Sequence, residues 1–147
     1  MKCGCMSDVA ESIRAWLLDD PLVTDLVADR IYPDMLPQNP TLPAVVMTKL
    51  SVRHDHQLSD LAGLAHARVQ FDCYSLSRAE ANAVAEAIRA TGITALKNET
   101  HGTDIRGVEL EEGQRNFTEP PNDATDEFRY GTNFDLMVSY AEELPWR

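Results

Sequence analysis

From Glu127 to Tyr140 the chain alternates with a period of two. Phe128, Tyr130, Thr132, Phe134, Leu136, Val138 and Tyr140 take one parity, and Arg129, Asn133, Asp135 and Ser139 take the other. That period belongs to a β-strand, whose successive side chains point to opposite faces. A strand of this length, well beyond the usual ~5–6 residues, with one aromatic and apolar face cannot stand alone. Its backbone requires partner strands, and its apolar side requires a covering layer. The rest of the chain must supply both.

Three further runs read as the partners. Leu42 to Val52 alternates Ala44, Val46, Thr48, Leu50 and Val52 with Val45, Met47, Lys49 and Ser51. Ala65 to Tyr74 sets Val69, Phe71 and Cys73 against Arg68, Gln70, Asp72 and Tyr74. Asp104 to Gly113 carries Ile105, Val108 and Leu110, with a parity shift around Gly107 that predicts a bulge.

Helical periodicity supplies the cover. Ser7 or Asp8, with Glu11, can cap a helix whose apolar face is Val9, Ile13, Trp16 and Leu17. Asp19-Asp20-Pro21 ends it, because Pro21 disfavours the α conformation at Asp20. A short second helix is predicted from Pro21 to Ala28, with Leu22, Leu26 and Val27 inward. Ser77 and Glu80 form a capping box for a third helix, which runs to Thr91 with the stripe Ala81, Val84, Ala85 and Ile88 and stops at Gly92.

The remaining segments read as connections. Pro33, Pro37, Pro40 and Pro43 make Ile31 to Pro43 an extended link. His54–Leu64 and Asn116–Asp126 read as polar loops, the second, with Pro120-Pro121, being disordered in the free subunit. The predicted class is α+β: a mixed, mostly antiparallel sheet of about four strands, with two main helices on one face. A length of 147 residues suits one domain. That domain is expected over residues 7–147, after an N-terminal extension of residues 1–6, with Met6 as the natural start.

Composition narrows the function. A net charge of −11 argues against tight nucleic-acid binding, which relies on Lys and Arg neutralising phosphates. No stretch approaches the ~20 apolar residues that span a bilayer. The N-terminus has no basic segment followed by an apolar run, so the expectation is a chain that folds in a cytoplasm. Of three cysteines, Cys73 reads as a core residue, and no further ligands follow Cys3 and Cys5 at a metal-site spacing.

The chain has no Gly-rich phosphate loop, no Gly-x-Ser-x-Gly elbow and no His-Glu-x-x-His. His54-Asp55-His56 places two imidazoles at i and i+2, a possible metal pair if His66 or His101 joined them; the plainer reading is an exposed polar loop. Glu109, Glu111 and Glu112 resemble paired carboxylates but read as a solvated strand end. No residue is therefore assigned to catalysis, to a cofactor or to a metal. His54, Asp55, His56, Phe117, Pro120 and Pro121 are instead the candidate partner contacts, in two loops projecting from a sheet whose long edges invite pairing with another chain.

The order of segments resembles a known family. Leu17-Leu18-Asp19-Asp20-Pro21-Leu22-Val23 is followed by Arg30-Ile31-Tyr32-Pro33, Leu42-Pro43-Ala44-Val45-Val46 and Ala67-Arg68-Val69-Gln70-Phe71-Asp72-Cys73-Tyr74-Ser75. Ala79-Glu80-Ala81, Asp104-Ile105-Arg106-Gly107-Val108 and Phe134-Asp135-Leu136-Met137-Val138 complete the set. It is similar to the tail completion (tail terminator, head–tail joining) proteins of long-tailed bacteriophages. The resemblance implies a structural virion protein without catalytic residues. It implies a homo-oligomeric ring, usually of six subunits, at the head-proximal end of the tail. Expected partners are the tail tube protein and the head–tail connector or neck protein, with genomic DNA passing through the channel without specific binding and no membrane contact. The alternatives are a neck or head–tail adaptor at an adjacent station, a small metal-dependent enzyme using His54 and His56, and a host module that binds a peptide by strand addition.

Overall fold

Residues 9–38, 40–54, 64–94, 104–121 and 128–141 are described by a computed structural model. The elements in order are α1 (Val9–Leu18), α2 (Pro21–Val27), β1 (Ile31–Pro33), β2 (Ala44–His54), β3 (Leu64–Ser75), α3 (Arg78–Thr94), β4 (Asp104–Glu119) and β5 (Arg129–Ala141). The strands form a sheet in the order β1-β2-β3-β5-β4. β1 runs parallel to β2, and every other neighbouring pair is antiparallel. The α+β class holds. Among the described residues the sheet has five strands rather than four, and three helices cover one face.

That face is the parity read from the sequence. Phe71 of β3 stacks on Phe134 of β5 with ring centroids 5.3 Å apart. Val69, Cys73, Leu136 and Val138 extend the layer, and all are buried. α3 closes over it with Val84, Ala85 and Ile88, and α1 adds Val9, Ile13 and Leu17 to the same core. The alanines at 81 and 85 let the α3 backbone approach the sheet closely. Burial also pushes the Cys73 thiol well above its usual range, leaving it a small apolar core group.

Several local expectations are corrected. The proline-rich link contributes β1, whose Pro33 is tolerated because the strand lies at the sheet edge. α2 is turned from the predicted orientation: Val23 and Val27 are buried, Leu26 is partly buried, and Leu22 is 64% exposed. The cause is the cap. Asp20, in an extended conformation, accepts a hydrogen bond from the Leu22 backbone N–H at 2.9 Å, so Pro21 and Leu22 form the outward first turn. At α3 the Glu80 carboxylate accepts the Ser75 hydroxyl, which in turn accepts from the Ser77 N–H at 3.2 Å. The capping box is thus relayed through a third residue. The helix also passes through Gly92 to Thr94. In β2 a register irregularity between Lys49 and Ser51 switches the parity, which brings Val52 onto the core face opposite Ala67.

The largest difference concerns β4. It extends to Glu119, so Asn116 to Glu119 are strand and not loop, and they pair with Thr132 to Arg129. β4 passes irregularities between Ile105 and Gly107, Leu110 and Glu112, and Glu112 and Arg115. These shifts hid its length from any fixed period. Phe128, read as the first apolar residue of the alternating run, lies just before β5 and is 51% exposed.

The two neighbours in α2 provide a stability test. Val23→Ala should lower unfolding free energy by about 1.5–3 kcal/mol, from lost methyl burial plus a cavity. Leu22→Ala should stay within about 0.5 kcal/mol of the parent. Urea midpoints for the two variants check this, and equal losses would contradict the observed helix rotation.

Candidate functional site

The face without helices carries side chains from three strands at once. β3 presents His66, Arg68, Gln70, Asp72 and Tyr74, and register places them beside Ser139 to Gly131 of β5. At the centre is Asp135, only 2% exposed. Arg68 reaches it from β3, with Nε 2.9 Å and a terminal nitrogen 2.7 Å from Oδ2. Arg115 reaches it from β4, 3.5 Å from Oδ1, while its Nε donates to Asn133 Oδ1 at 2.9 Å. Oδ1 is buried and accepts no hydrogen bond among the described residues, so Arg115 holds it by charge. The extra β4 residue between Glu112 and Arg115 makes this reach possible. One carboxylate therefore ties the central strands to the edge strand.

A second cluster fixes the far end of β4. Phe117 pairs with Gly131, and its ring lies where a Gly131 side chain would be: an added Cβ would sit 2.1 Å from Cζ. The ring meets Tyr74 edge-on, with centroids 5.5 Å apart. Burial, followed by the Glu119 and Asp72 carboxylates, pushes the Tyr74 phenol up to about 12. On the opposite side Arg78, the first residue of α3, donates to the Gly131 carbonyl at 2.6 Å and the Phe117 carbonyl at 3.0 Å. Its guanidinium also lies over the Tyr130 ring, 5.2 Å from the centroid. Thr132 donates to Asn82 at 2.7 Å, a second tie between α3 and β5.

The two ends of the sheet differ. β4 is the outer strand at one end, and its middle carries Glu109-Leu110-Glu111-Glu112, with Leu110 41% exposed. At the other end β1 pairs with β2 only over Val45 to Met47. Beyond that, Lys49, Leu50, Ser51, Arg53 and His54 of β2 are exposed. Beside them α1, β1 and β2 enclose a hollow of about 460 Å³. Ala10, Pro33 and Met47 give it apolar walls, while Glu11, Arg14, Asp34 and Lys49 add charges of both signs. Arg14 is anchored there by donating to the Ile31 carbonyl at 2.6 Å.

The residues singled out as partner contacts are placed as follows. His54 is exposed at the end of β2, and Asp55 and His56 lie outside the described residues. Phe117 sits half-buried in β4 rather than in a loop, because Gly131 leaves room for its ring; Pro120 and Pro121 follow the strand and are exposed. His66 lies on β3 opposite Arg53, one register position from His54, and its Nδ1 is 2.7 Å from the Ser139 hydroxyl. His101, Cys3 and Cys5 lie outside the described residues. Among the described residues no group of three His, Cys, Asp or Glu is placed to hold a metal ion. Glu109 stands in the middle of β4, not at a strand end. Asp135, Arg68, Arg115 and Arg78 were not anticipated. Parity alone puts Arg68 and Asp135 on one face, but their contact depends on the register of β3 with β5.

Residues 11–100 match the family described as Tail completion protein gp17. β4 and β5 lie beyond that match. Among solved structures, a chain in the virion of a native gene transfer agent particle is similar over 90% of this chain and 97% of its own, with a TM-score of 0.61 and 15% identity. That likeness is one of fold. No curated protein matches the chain.

Two measurements test this geometry. Gly131→Ala should expel the Phe117 ring and destabilise the fold by about 0.5–1.5 kcal/mol, the scale of a lost aromatic pair. In a Phe117→Ala background the same change should be neutral or gain up to about 1 kcal/mol, as expected for relieving glycine of its backbone entropy. An equal loss in both backgrounds would count against the ring contact. For Tyr74, the folded-state value lies above the ordinary tyrosine value of about 10. The neutral phenol therefore stabilises the fold fully below pH 10, and that contribution is lost as pH rises toward 12. Tyrosinate absorbance should show one late-titrating group that disappears in Tyr74→Phe.

Proposed function

Because the chain belongs to the Tail completion protein gp17 family, and is by that membership a structural protein of the phage virion, we propose that it forms a ring at the head-proximal end of the tail. There it ends growth of the tail tube and joins the tube to the head connector. The observation that carries this reading is the family match, which spans α1 to α3. The gene transfer agent chain supports it, since that chain comes from a virion and nearly its whole length is matched. A sheet with dissimilar ends suits a subunit that meets a copy of itself on each side, the head-to-tail contact from which rings are built.

The polar and titratable groups fit assembly better than turnover. Asp135 is locked between two arginines, and His66 is engaged with Ser139. We ascribe no catalytic step to the chain. Partners in this reading are further copies of itself, in a ring of six, the tail tube protein and the connector or neck protein. The net charge of −11 leaves a channel wall that does not retain DNA by releasing counterions. His54, Asp55, His56, Pro120 and Pro121 remain the proposed contacts to neighbouring proteins. Phe117 acts one step back, by setting the end of β4 from which the prolines project.

A phage lacking the gene should accumulate DNA-filled heads and unattached tails, with tubes of irregular length. Adding purified protein to those tails, then heads, should restore infectious particles. Tails of normal length that still fail to bind heads would move the protein to an adjacent neck station. Normal, joined particles would overturn the assignment.

A further inference from the structure

We infer that successive subunits are joined strand to strand, with the β4 edge of one copy lying against the outer half of β2 in the next. The inference rests on the ring reading and specifies its contact.

Direction comes first. β2 and β3, β3 and β5, and β5 and β4 are each antiparallel, so β4 runs opposite to β2. Two copies placed side by side therefore bring β4 against β2 in the antiparallel sense, which continues the sheet across the boundary. The two edges lie at opposite ends of one sheet, so the contact is heterologous and leaves each copy with one donor and one acceptor edge.

Charge and shape agree with this. β2 carries Lys49, Arg53 and His54 and no acidic residue, whereas the middle of β4, between Arg106 and Arg115, carries Glu109, Glu111 and Glu112 within four consecutive positions. Each edge also exposes one leucine, Leu50 at 47% and Leu110 at 41%. The hollow beside β2 offers Met47, Pro33 and Ala10 to an entering apolar side chain. Glu11 and Asp34 also line that hollow, so the preference for an acidic partner is set by the strand itself. The three register irregularities of β4 and its charges have a role here. They guard a long edge against indiscriminate pairing while permitting a partner of matching charge.

The test uses full-length protein in assembled particles, with Cys3 and Cys5 replaced by serine. Leu50→Cys with Leu110→Cys, treated with a short bis-maleimide, should give a ladder of covalent multimers, and neither single variant should. Lys49→Glu and Glu109→Lys should each reduce infectious particles at least about tenfold, and their combination should recover most of the loss. Unchanged thermal unfolding of the isolated variants shows that folding is not the cause. Particles that hold several copies but yield no ladder overturn the edge contact and leave the ring intact. Particles with a single copy per tail overturn both. Swaps that leave particle yield unchanged also count against the edge contact.

Discussion

The stack of Phe71 on Phe134 is the contact from which the other arrangements follow. It joins the two central strands on the side where α1, α2 and α3 deposit their apolar stripes, and it fixes which parity of β3 and β5 is buried. Once that parity is set, period two sends Arg68 and Asp135 to the other face with no further choice. A slip of one residue between β3 and β5 would bury Arg68, Gln70 and Asp72 beneath α3 and leave their charges unmatched. The apolar stack thus determines the polar face.

β4 depends on that polar face in turn. It pairs through its backbone only with β5 among the described strands and departs from regular register three times. Hydrogen bonding between backbones does not by itself select a register for such a strand. Arg115 on Asp135, Phe117 over Gly131 and Arg78 on the Phe117 carbonyl hold it close to its C-terminal end. The edge strand is consequently specified by side chains, where the central strands are specified by burial.

The same division explains what the sequence made legible. The buried parities of β3 and β5, and the α3 stripe Ala81, Val84, Ala85 and Ile88, were readable because each is a periodic pattern facing a single layer. β1 was not, since three residues carry no period. Leu22 was placed inward by spacing, yet Asp20 turned it out, a capping effect that a count of apolar positions ignores. Phe117 looked like an isolated aromatic near two prolines; its partner is the absence of a side chain at Gly131, fourteen positions on in sequence. The family was legible from ordered short segments, whereas the cluster at Asp135 was not. Cross-strand contacts depend on register, and bulges make register unpredictable from one strand alone.

The position of β5 in the sheet has a consequence for synthesis. The last strand of the described chain is inserted between β3 and β4, which are not neighbours without it. The Arg78 grip on the Gly131 carbonyl likewise spans 53 residues. A nascent chain that has emerged only as far as β4 therefore has its helices and most of its strands but no closed sheet, and long-range pairings of this kind are slow to form. The edge that β4 presents to solvent therefore exists as part of the sheet only after β5 has been made.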